Sequence, residues 1–281
     1  VIVVATAESA SRMARLTSSS GTGLRTTATA TEFQYRRVRS DLGSPIPRFA
    51  ASDSTGGNNV NLTDSGALTI DIIATGGAGN ISLTSASTID DLDDVGTNIN
   101  SSGTLTLTSN GAIGGASPLN IGTGAVTVTS TGGNNINLDH SGALSITNIA
   151  TGGAGNITLT ATSTINDTDD VGDNITSTGA LTLTSGGAIG GSSPLNINTG
   201  DVTITSTGGN NITLTDSGAL TINTIATGGA GNITLVAGST LNDTDDVGDN
   251  ITTTGTLTLT SNGAIGNPLN INTGDVTITS T

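Results

Sequence analysis

From Gly155 to Gly209 the chain reads GNITLTATSTINDTDDVGDNITSTGALTLTSGGAIGGSSPLNINTGDVTITSTGG. Thr alternates there with Leu, Ile or Val in NITLT (Asn156–Thr160), ALTLT (Ala180–Thr184) and DVTIT (Asp201–Thr205), and ALSIT (Ala143–Thr147) precedes them. Alternation with β-branched residues is the pattern of a strand with one buried face. Shorter runs, NINL (Asn135–Leu138) and LNIN (Leu195–Asn198), sit between Gly, Asn and Pro turns. No segment of the repeat shows the 3.6-residue period of a helix.

The same stretch recurs on both sides. GGNN begins at Gly56, Gly132 and Gly208, and ATGGAGNI at Ala74, Ala150 and Ala226, so the position advances by 76 each time. The third copy has SNGAIGNPLN where the first has SNGAIGGASPLN, so DVTITST, at Asp201 in the second copy, returns early at Asp275. Near-identical units of this length signal a quasi-one-dimensional array. The reading is an all-β chain, a parallel β-helix (solenoid) of three 76-residue repeats, each of three to four coils of about 19–25 residues. The units span about 56–131, 132–207 and 208–281, within a repeat region at 51–281. At a strand spacing near 4.8 Å, the coils would make a rod roughly 43–58 Å long. In the last copy the predicted core is Ile212, Leu214, Leu220, Ile222, Ile233, Leu235, Leu257, Leu259, Leu269, Ile271, Val276 and Ile278. An antiparallel β-sandwich is the competing fold, although it has no need for one apolar face through three copies.

Composition agrees with a thin, repeated core. There is no Cys, Trp or Lys, while Gly supplies 41 residues and Tyr and Phe only one and two. All seven Arg lie at or before Arg48, a stretch that carries 7 − 3 = +4. From Phe49 onward there are 19 Asp and no Arg, Lys or Glu, a formal −19. Such a surface repels nucleic-acid phosphates and anionic lipid, which excludes nucleic acid as a partner. No apolar run is long enough to span a membrane, so no membrane insertion is expected of this segment. Residues 1–50 fall outside the rhythm and read as an irregular segment or a cap. SASRMARL (Ser9–Leu16) suggests one or two helical turns, and RTTATATEFQYRRVRS (Arg25–Ser40) a strand or cap. The opening VIVVATAES reads as a frayed terminus rather than the tail of a secretory signal, for it lacks a basic n-region. No cap is visible after DVTITST, so the natural protein is expected to continue beyond Thr281.

The runs GNITLTATSTIN, GALTLTSGGAIGG and GDVTITSTGG resemble coils of the filamentous-haemagglutinin type of bacterial exported adhesin, over about residues 54–281. The resemblance implies a secreted β-helical shaft at the bacterial outer surface, non-enzymatic, with host or neighbour-cell glycans or proteins as partners. Two features depart from that family's pattern: no NPNG stretch marks a secretion domain, and there is no Arg-Gly-Asp tripeptide.

Three acidic loops are the candidate sites. Their carboxylates are Asp90, Asp91, Asp93 and Asp94 in the first copy, Asp167, Asp169, Asp170 and Asp173 in the second, and Asp243, Asp245, Asp246 and Asp249 in the third. Hard oxygen ligands at this density suit Ca²⁺. The alternating acids before Gly172 or Gly248 match only the first half of a calcium loop, since Val171 and Val247 replace an acid and no Glu follows. The competing reading is a solvated loop that confers solubility. His140, the lone His, stands where the other copies have Asp64 and Asp216, and reads as a solvated turn residue rather than a catalytic base. The pairs Asn58-Asn59, Asn134-Asn135 and Asn210-Asn211 read as turn residues that hydrogen-bond locally. Outward Thr could form ice-binding ladders, but Thr also suits any solvent-facing strand, and the coil lengths look irregular for a lattice. The function expected is a structural shaft with weak multivalent adhesion. The alternatives are a β-helical carbohydrate-active enzyme and an ice-binding or S-layer-like repeat protein.

Overall fold

In a computed structural model of the chain, the described residues are 56–281 except 245, 246 and 267. Five short strands before them, Ile2–Val4, Thr17–Ser19, Thr27–Ala28, Glu32–Tyr35 and Phe49–Ser54, are described by their backbone. The helical turns read at Ser9–Leu16 lie outside the described residues. Ile2–Val4 pairs antiparallel with Thr17–Ser19. Thr27–Ala28 pairs in parallel with Phe49–Ser54, and Glu32–Tyr35 with Asn59–Asp64, so parallel pairing already begins within residues 1–50. The chain packs as two compact units, Val1–Asp139 and His140–Thr281.

The second unit shows how the repeat builds a solenoid. Successive strands alternate between two parallel sheets. One sheet stacks Ile157–Ala161, Leu181–Ser185, Val202–Ser206 and Leu220–Thr227. The facing sheet stacks Leu195–Asn198, Ile212–Asp216, Ile233–Ala237, Leu257–Ser261 and Val276–Ser280. Parallel neighbours need a long return path, and the other sheet's strand supplies it. In the first unit Asn59–Asp64, Ile81–Ser85, Leu105–Ser109 and Ala125–Ser130 stack the same way. The antiparallel sandwich is thereby excluded for the repeat. Among the described residues no helix is long and apolar enough to cross a membrane.

Register explains why every copy keeps one apolar face. Leu181 lies over Ile157 and under Val202, and Leu183 over Leu159 and under Ile204. All six are fully buried. Burying a side chain of this size contributes about 1.5–3 kcal/mol, so columns of Ile, Leu and Val can hold the coils together without aromatic residues. The fifth residue of such strands also points inward and is commonly Ser. Ser206 Oγ, for example, donates to the Gly187 carbonyl at 2.9 Å, which satisfies a corner carbonyl of the coil before. Corners are tight: Gly190 has φ +64°, and a Cβ there would lie 2.0 Å from the Thr213 carbonyl oxygen of the next coil. Only glycine fits both demands.

Each repeat makes three and a half coils. Three steps up one sheet lead from Ile157 to Leu181, Val202 and Ile222, and Ile233 then falls on the facing sheet. Ile157 and Ile233, equivalent in the second and third repeats, therefore lie on opposite sheets of the second unit.

The core reading holds for Ile212, Leu214, Leu220, Ile222, Ile233, Leu235, Leu257 and Leu259, all fully buried. It is corrected for the last coil. Leu269 is half-buried, and Ile271, Val276 and Ile278 are exposed at 38%, 41% and 54%. An inward face is covered only where coils lie on both sides, and within the given residues Ile271, Val276 and Ile278 are stacked on one side, against Ile251, Leu257 and Leu259.

Candidate functional site

The acidic loops interrupt one strand of a coil and divide it in two. In the second copy the halves are Ile165–Asp167 and Ile175–Thr176, which lie side by side on Leu144–Thr151. The chain between them must leave the sheet and return at the same level. Asp167 starts the excursion: its Oδ1 accepts the Asp169 N–H at 2.9 Å. Asp169 repeats the device with the Val171 N–H at 3.3 Å. Asp170 then takes φ +54° and Gly172 φ +72°, which reverses the chain. Asp91, Asp93, Asp94 and Gly96 do the same in the first copy.

Asn174 closes the loop. It is fully buried, and its Nδ2 donates to Asp167 Oδ1 at 2.8 Å. Nδ2 also reaches the Ile146 carbonyl of the coil before at 3.4 Å, while its Oδ1 accepts the Asn196 N–H of the coil after at 3.0 Å. Asn98 and Asn250 hold the same place, at 2.6 Å from Asp91 and 2.7 Å from Asp243. Composition offered no reason to single out these asparagines, which bind three successive coils.

The loops are thus only partly solvated. Asp93, Asp94, Asp169, Asp170 and Asp249 are exposed, Asp90, Asp91, Asp167 and Asp173 are half-buried, and Asp243 is buried. Asp245 and Asp246 lie outside the described residues. Burial pushes the Asp167 carboxyl up, but hydrogen bonds from the Asp169 N–H, the Asn174 side chain and the Asp170 N–H outweigh it and hold the group below its usual range. Asp90 Oδ1 accepts the Gly115 N–H at 3.1 Å, and Asp173 Oδ2 accepts the Ser217 hydroxyl at 3.1 Å. Among the described residues no group of three or more His, Cys, Asp or Glu is gathered as metal ligands would be. In the first two copies Asp91, Asp93, Asp167 and Asp169 each accept an N–H of the loop itself, while Asp91 Oδ2 is buried without a partner. The tip of each loop shows a valine, Val95, Val171 or Val247, about three-quarters exposed.

His140 is not solvated. It is 4% exposed, and its Nδ1 accepts the Gly142 N–H at 3.0 Å. Asp64 and Asp216 accept the N–H of Gly66 and Gly218 in the same way, at 2.8 and 2.7 Å. The position needs an acceptor for the N–H two residues on. Alternation along Ile212, Leu214 and Asp216 puts it on the inward side, which is the signal that reveals it in sequence. Asp216 is buried, and its Oδ2 has no hydrogen-bond partner. Burial raises its carboxyl to about 6; the N–H groups of Gly218 and Thr199 oppose the shift, and the charge of Asp173 adds to it.

The Asn pairs bond both locally and between coils: the Asn134 and Asn210 N–H groups donate to Ser130 and Ser206 Oγ four residues back. Asn59 and Asn211 accept the N–H of Asn80 and Asn232, and Asn134 Nδ2 donates to the Asn110 carbonyl. These side-chain bonds bridge neighbouring coils.

In the second unit the loop at 165–176 and the loop at 241–252 project from opposite sheets, as three and a half coils per repeat require. Comparison with protein-family models, with curated proteins and with solved structures gave no match.

Proposed function

We propose that this segment is a non-enzymatic structural shaft, an extracellular β-solenoid of the filamentous-haemagglutinin-like adhesin type on the bacterial outer surface. The observation that carries the reading is the engagement of the acidic loops' carboxylates: the same Asp, Asn and Gly positions build the same turn in the first two copies, and Asn250 closes on Asp243 in the third, for packing rather than chemistry. Triplicated turns suit a spacer, whereas a catalytic centre needs one distinct constellation. Adhesion along the shaft is weak and multivalent, toward cell-surface glycans or proteins, because Trp, Tyr and Arg, the usual interface anchors, are lacking beyond Phe49.

The test coats beads with the full chain at graded densities and measures attachment to glycan arrays and cell monolayers. Attachment that rises steeply with density supports adhesion by avidity, and absence of attachment leaves a pure spacer. Tight one-to-one binding, or turnover of a polysaccharide, would overturn the proposal.

A further inference from the structure

The outward faces carry a second regularity. In the second unit Thr158, Thr182 and Thr203 form one column across three coils, and Thr160, Thr184 and Thr205 form another. The six side chains are half-exposed. The columns are about 6.6 Å apart along the strand and their members about 4.8 Å apart between strands. On the facing sheet Thr213, Thr234, Thr258 and Thr277 form one such column over four coils, while Val236 interrupts the second between Thr215 and Thr260. The first unit has it in Thr106, Thr108, Thr127 and Thr129.

Coil length does vary, and the coil from Ile157 to Leu181 is longer than the one from Leu181 to Val202. The strands nevertheless pair one to one along their whole length, because corners absorb the difference. The irregular spacing read from sequence therefore does not disturb the lattice. Two further observations bear on the ligand. Of the six hydroxyls in the first grid, only that of Thr203 has a protein partner, the Asn223 side chain at 3.0 Å. No charged residue interrupts the outward positions of these three strands; Asp201 precedes its strand and the other carboxylates lie at corners and loops.

We propose that these threonine grids are ice-binding faces. A fixed, uncharged array of hydroxyl and methyl groups orders its hydration water at repeat distances of the same order as the oxygen repeats of ice. A face bearing that water layer adsorbs to an ice surface, and the acidic corners keep the molecule dispersed. Ligands that need charge or a concave pocket find neither on the grids. The shaft proposal does not depend on this one.

The experiment grows an ice hemisphere in a dilute solution of the fluorescently labelled full chain and measures uptake and recrystallisation. Uptake into ice and arrested grain growth are expected for the wild type. Thr182→Tyr with Thr184→Tyr breaks one grid while leaving the inward face intact, and should remove about a third of the uptake if the grids act independently. Adding Thr106→Tyr, Thr108→Tyr, Thr234→Tyr and Thr258→Tyr should bring uptake to the level of an acidic control protein. Circular dichroism checks that each variant is folded, and the double variants alone suffice should the sixfold one not fold. Exclusion of the wild type from ice, or unchanged uptake in folded variants, would overturn the proposal and leave the shaft reading intact.

Discussion

Asn174 donates its side-chain amide to Asp167 Oδ1 at 2.8 Å, seven residues back along the chain, and is itself fully buried. The pair turns a run of like charges into a defined loop, since the first carboxylate faces a donor before the chain enters water. Replacing Asn174 with Ala leaves the Asn196 N–H without its acceptor and removes one of the two donors to Asp167 Oδ1. A loss of about 1–3 kcal/mol is expected in urea unfolding, from one N–H left unsatisfied and one hydrogen bond to a carboxylate lost. Asp170→Asn, at the exposed tip, should change stability by less than about 0.5 kcal/mol. Equal losses would mean that Asn174 does not organise the loop.

Strand positions and the parallel solenoid were legible because alternation and a 76-residue repeat are both direct consequences of burying one face. The half-coil phase was not. A repeat counts residues, while the faces depend on where corners fall, and the split strand with Asp167 at its end hides one. Asn174 was equally hidden: in sequence it is one more Asn in a polar loop, and its partner Asn196 lies a coil away. Asp216 and His140 were readable by parity with Ile212 and Ile136, but their polar character drew them to the solvent side.

The assignment of faces predicts a sharp contrast between neighbours. Leu183 is fully buried between Leu159 and Ile204, so Leu183→Asp buries an unpaired charge and should cost at least about 4 kcal/mol. Thr182 points outward from the same strand, and Thr182→Asp should cost about 1 kcal/mol or less, mostly strand propensity. Thermal melts of the two variants make the comparison, and similar losses would reverse the faces.

Calcium provides a test of the loops. In the first two copies the leading carboxylates already accept N–H groups, and gathering them around an ion would break those bonds. Melting temperatures in millimolar Ca²⁺ and in Na⁺ of equal ionic strength are therefore expected to coincide, because an ion stabilises only by preferring the folded state. A calcium-specific rise that disappears in Asp169→Asn, Asp170→Asn and Asp173→Asn combined would show that the loops regroup into a site.

Asp216 predicts how stability changes with pH. Its folded carboxyl titrates near 6 because burial and the charge of Asp173 disfavour ionisation, whereas an unfolded Asp titrates near 3.9. Between these values the folded chain holds a proton that the unfolded chain has lost. Stability from this group therefore falls as pH rises from about 4 to about 6, and the penalty is complete above that. The full shift would correspond to about 3 kcal/mol, and residual solvation of the corner reduces it to about 1–2 kcal/mol. Asp216→Asn keeps an acceptor for the Gly218 N–H and cannot ionise. The variant should gain stability over the wild type at pH 7.5 and lose that advantage at pH 4. Parallel urea titrations at both values measure the difference. An Asn variant less stable at pH 7.5 than at pH 4, relative to wild type, would show that the ionised carboxylate is stabilised at this corner instead.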